Sequence, residues 1–103
     1  MPSGILGQSA PAAVTNTTVY TVPAGKLASF SVNILNRSAL AVSVRLAIAS
    51  TATPTLAEWF EFGAAVPANG VLERTGLVAQ AAEQVVVFVS SADVSVNVYG
   101  YEE

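Results

Sequence analysis

Glu58 and Glu61 are the closest this chain comes to a reacting pair. Glycosidic bond cleavage needs two carboxylates that face one another across the substrate. Both glutamates lie in the segment Glu58-Trp59-Phe60-Glu61-Phe62. Their odd separation along a strand points them to opposite faces. The chain has no histidine and no cysteine, which removes imidazole bases, thiolate nucleophiles, the common triads, most zinc sites and disulfides. It is therefore compatible with any redox compartment. Asp93 is the only aspartate, and no acidic loop supplies the oxygen cluster that calcium requires. Lys26 stands beside a turn and reads as a solvated side chain. The expectation is a protein that is not an enzyme, with no catalytic residue, no metal and no cofactor.

Residues suited to contact are better supplied. Trp59, Phe60 and Phe62 are the densest aromatic group. An exposed tryptophan could stack on a sugar, but these rings read first as a core edge or a subunit interface. Tyr99 and Tyr101 flank Gly100 on the polar side of the last alternating segment, and amphipathic rings of that kind are favoured at protein interfaces. Ile5 and Leu6 are large aliphatics in an otherwise small and polar N-terminal stretch. These seven residues are the candidate partner interface. The sequons at Asn16 and Asn36 read as chance matches, because no secretory signal accompanies them.

The elements that must carry these residues are strands. Residues 1–16 are punctuated by Gly and Pro and read as an extended N-terminal arm lying on a neighbouring subunit. Its removal, over residues 1–14, should weaken attachment and leave the domain folded. Residues 17–103 read as a single β-sandwich. Thr17 to Val22 is β-branched and aromatic. Pro23-Ala24-Gly25-Lys26 turns the chain. Phe30, Val32 and Ile34 alternate with Ser29, Ser31 and Asn33 over 27–36, before a turn at Asn36-Arg37-Ser38. Over 40–49, Leu40, Val42, Val44, Leu46 and Ile48 share one face. The opposite face is Ala41, Ser43, Arg45, Ala47 and Ala49, too small and apolar for a typical wet surface.

Pro54 keeps 50–57 as a loop, and the aromatic segment 58–62 reads as a strand. Pro67-Ala68-Asn69-Gly70 leads into Val71–Thr75. Gly76 to Gln84 fits either a strand or a helical turn. Val85 to Val89 is a continuous apolar run, expected of a strand buried on both faces. Val94, Val96 and Val98 alternate in the last strand. TVPAGKLASF (21–30) echoes AVPANGVLER (65–74), as two Greek-key halves or as chance. About eight short strands with regular turn signals predict an all-β, antiparallel, jelly-roll-like sandwich.

Charge sets the functional class. The 103 residues carry four Lys+Arg and seven Asp+Glu, for a net charge of −3 and 11% charged residues, against about 25% in ordinary soluble domains. No basic stripe can follow a phosphate backbone, so no nucleic-acid partner is expected. Mean hydropathy is +0.56. Ser, Thr, Asn, Gly or Pro interrupt every apolar stretch before the roughly 20 residues that a membrane span requires, so no membrane partner is expected either. A domain of this size leaves about a third of its unfolded surface exposed. Eleven ionisable residues cannot wet that exterior. Covering about 800 Å² of apolar surface between subunits would gain a gross 20 kcal/mol or so, part of which association costs remove. Self-association is the expected outcome.

LGQSAPAA, TTVYTVPAGKLASFSVNILNRS, VSVRLAIA, the PANG turn before VLERTGL, and VSVNVYGYEE together resemble small structural proteins of tailed-bacteriophage particles. The most specific part is YTVPAGK followed by an alternating strand that ends in Asn-Arg-Ser. The resemblance implies a non-enzymatic virion component made in the host cytoplasm. One placement is a capsid decoration or cement protein, a homotrimer on the outer capsid surface bound to the major capsid protein. The other is a tail, baseplate or fibre component, where Trp59 could meet a host glycan.

Overall fold

A computed structural model describes residues 3–103. Its order is β1 (Ser3–Ser9), β2 (Thr17–Thr21), β3 (Leu27–Asn36), β4 (Val42–Ala49), a 3-10 turn (Leu56–Glu58), β5 (Trp59–Val66), β6 (Val71–Gln80), β7 (Gln84–Val89) and β8 (Val94–Glu102). Two four-stranded antiparallel sheets pack face to face. One has the order β1-β8-β3-β6 and the other β2-β7-β4-β5. The β4–β5 hairpin is innermost. β3 pairs with β6, β2 with β7 and β1 with β8 around it. A long hairpin rolled up in this way is a jelly roll.

Sequence pattern accounts for most of this. Phe30, Val32 and Ile34 of β3 point inward, as do Val94, Val96 and Val98 of β8. Val42, Val44 and Leu46 of β4 meet them from the other sheet. Val85, Val86 and Val87 are all fully buried, as the unbroken apolar run predicts. Both proline turns cross between the sheets in the same sense. Lys26 N donates to Pro23 O with Gly25 at φ 74°, and Gly70 N donates to Pro67 O with Asn69 at φ 56°. Pro at the first position and a residue that tolerates positive φ at the third explain the echo between the two segments.

Three expectations change. Residues 3–9 are extended, but they form an edge strand of the sandwich. Ile5 pairs with Tyr99 on β8, a bulge follows, and Leu6 packs against the core. Gly7 permits this docking, because a Cβ there would lie 2.4 Å from Val19 O on β2. Leu40 precedes β4 and is 77% exposed, so the apolar alternation begins at Val42. The ambiguous stretch after Gly76 continues as strand to Gln80, because β3 supplies partners as far as Leu27.

Candidate interaction surface

The β2-β7-β4-β5 sheet turns its second set of side chains outward. β4 contributes Ser43, Arg45, Ala47 and Ala49. Arg45 is in register with Phe62 on β5 and Phe88 on β7. Its guanidinium carbon lies 4.1 Å from the centroid of Phe62 and 4.4 Å from that of Phe88. Each such contact is worth about 0.5–1 kcal/mol at a partly exposed site. Trp59 closes the cluster, with its ring edge-on to Phe62 at 5.9 Å and 69°. Ala47 lies in register between Trp59 and Val86. Ala47, Ala49 and Val86 are fully buried although they face away from the core. The small alanines leave room for the large neighbouring rings, which explains a face that looked too apolar for water.

Trp59 is half-buried, whereas Phe60 is 39% and Phe62 is 59% exposed. Among the described residues Arg45 forms no ion pair, and it is the one ionisable strand residue that the pairing turns outward on this sheet. Sequence reasoning singled out the aromatic residues and missed Arg45 and Phe88. The signal was there, since Arg45 is the only charge in an alanine-serine face.

The outer face of the β1-β8-β3-β6 sheet is polar. Ser29, Ser31 and Asn33 lie beside Tyr101, Tyr99 and Asn97. Gln8 Nε2 donates to Asn97 Oδ1 at 2.7 Å. The Tyr99 hydroxyl donates to the Glu73 carboxylate. Ile5 and Tyr101 are exposed on the same face. Glu73 is the one charged strand residue turned outward here. A shallow groove of about 380 Å³ runs between β1 and β8, lined by Gln8, Ser9, Ala10, Ser95, Val96 and Asn97.

β5 and β6 are the terminal strands of their sheets and lie along one edge of the sandwich. Glu61 on β5 and Arg74 on β6 form an ion pair that bridges that edge. Glu58 has a different task. Its Oε1 accepts from Thr55 N at 2.8 Å and its Oε2 from Ser50 N at 3.1 Å. These two backbone donors hold its carboxyl below the usual carboxylate range. Glu58 and Glu61 therefore have separate structural partners and do not converge on a common point.

Asn36, read from sequence as a turn residue, is fully buried. Its Nδ2 donates to Leu40 O, Val66 O and Pro67 O, and its Oδ1 accepts from Ser38 N and Ser38 Oγ. That side chain ties the β3–β4 loop to the β5–β6 turn.

No helix among the described residues is long and apolar enough to cross a membrane. No protein-family model matches the chain, and no curated protein or solved structure is detectably similar to it.

Proposed function

We propose that this chain is a non-enzymatic structural protein of a tailed-phage particle, a capsid decoration protein that attaches as a homotrimer to the outer surface of the assembled shell. The observation that carries the reading is the poverty of charge on both outer sheet faces, each of which turns out one charged strand residue. Beside it stands the exposed aromatic group of Phe60 and Phe62. Faces of that kind suit permanent protein contacts, where charged residues are depleted and aromatic residues and Arg are enriched. The resemblance of the strand-and-turn segments to small phage structural proteins supports the same class.

The mechanism is mass action. A protein that binds the assembled shell and not loose subunits stabilises the shell by its binding free energy. A symmetric lattice offers many equivalent sites, so a multimer engages several at once. The half-buried Trp59, with Phe62 against it, supports a packed contact over an open platform for glycan stacking.

The test is incubation of the purified protein with intact phage particles, followed by co-sedimentation and localisation by electron cryo-microscopy. Density on the outer shell is the expected result. Density on the tail alone would favour a tail or fibre component. Absence from both head and tail would overturn the virion reading.

A further inference from the structure

We propose that copies of this chain associate head to tail, with Arg45 of one copy paired to Glu73 of the next. The inference rests on the self-association in the reading above and specifies the faces that make it. The two groups are opposite in sign, and each is the one charged strand residue on its outer sheet face. Both are held in place. The Arg45 guanidinium carbon lies over the Phe62 and Phe88 rings, and among the described residues Arg45 forms no ion pair. A guanidinium matches a carboxylate, which accepts two parallel N–H bonds. The Tyr99 hydroxyl anchors the Glu73 carboxylate through Oε2 and leaves Oε1 to accept. Little side-chain entropy is left to lose when the two meet.

Electrostatics also selects the occupant. A surface with no acceptor laid over the aromatic face would leave the Arg45 charge buried and unpaired, which is costly. A second copy brings the Glu73 carboxylate on a sheet face that turns out no other charged strand residue, so the two faces are complementary in charge. Placement of the two groups decides the geometry of association. Arg45 sits on β4, beside edge strand β5, and Glu73 sits on edge strand β6. They occupy the two shoulders of the same sandwich edge, on either side of the Glu61–Arg74 bridge. A heterologous contact closes into a ring only when its rotation closes, and the homotrimer of the reading above requires such a closed contact.

Sedimentation equilibrium on the full chain tests this with the wild type, Arg45→Glu, Glu73→Arg and the double reversal. The wild type should reach a fixed small multiple of the protomer mass. Each single reversal should raise the dissociation constant about tenfold or more, and the double reversal should return it to within about threefold of the wild type. Circular dichroism checks the fold of each variant, and recovery in the double reversal is itself evidence that position 45 tolerates the change. Single reversals that associate like the wild type, a double reversal that stays dissociated, or mass that keeps growing with concentration would overturn the proposal. A wild-type monomer that still sediments with particles overturns this inference and the homotrimer but leaves the virion reading standing. A wild-type ring that ignores particles overturns the virion reading alone.

Discussion

The Tyr20 hydroxyl donates to the Glu102 carboxylate across the sandwich, joining edge strand β2 of one sheet to the end of β8 in the other. Both residues are buried. Burial, and then the carboxylate beside it, push the phenol above its ordinary value of 10.0. The folded state therefore keeps the Tyr20 proton longer than the unfolded chain does. The stability linked to this group is fully present below pH 10 and is lost as pH rises further. A titration of phenolate absorbance should show one of the three tyrosines ionising last, together with loss of the folded circular dichroism signal. If all three ionise together near pH 10 while the fold persists, the buried pair does not form in solution.

Asn36→Ala should be among the most damaging single changes outside the apolar core. It removes the side-chain donor to Val66 O in a buried setting and to Leu40 O and Pro67 O in part-buried ones, although Leu40 O keeps the Ser38 hydroxyl. An unsatisfied buried group costs about 1–3 kcal/mol, so the variant should lose about 3 kcal/mol in urea unfolding. A loss below about 1 kcal/mol would mean that water replaces the amide.

Two glycine substitutions should separate a conformational cost alone from one joined to a backbone clash, since Gly100 holds φ at 154° as well. Gly100→Ala places a Cβ 2.1 Å from Ser29 O and 2.6 Å from Phe30 Cα, both backbone atoms of the paired strand. Such overpacking should cost about 3 kcal/mol. Gly25→Ala meets nothing within 4 Å but holds φ at 74°. It should cost about 1–2 kcal/mol from backbone conformation alone. Equal losses on thermal unfolding would contradict the close approach of β8 to β3.

Deleting residues 1–14 should destabilise the domain, contrary to what an arm outside the fold implies. The deletion strips β1 from β8 and uncovers the hydrogen-bonding edge of β8, with Val96 and Val98 beneath. A fall in melting temperature of roughly 10 °C or more is expected for a domain of this size, with aggregation seen by light scattering. A deletion variant that melts like the full chain would return residues 1–14 to the role of an arm.

Strand content, the two proline turns, the buried valine run and the absence of histidine and cysteine chemistry were legible in the residues themselves. They depend on side-chain alternation, on φ limits at Pro and Gly, and on composition, all of which are local. Tertiary structure decided what local rules cannot reach. The docking of residues 3–9 depends on β8, almost the whole chain away, and on the space that Gly7 leaves beside Val19. Asn36 became a buried hub only when the β5–β6 turn met the β3–β4 loop. Arg45 gained its aromatic clamp from strands 17 and 43 residues further on, because register across a sheet is set by which strands become neighbours. Alternation turned the lone arginine outward, and the rolled-up hairpin supplied the rings on either side of it.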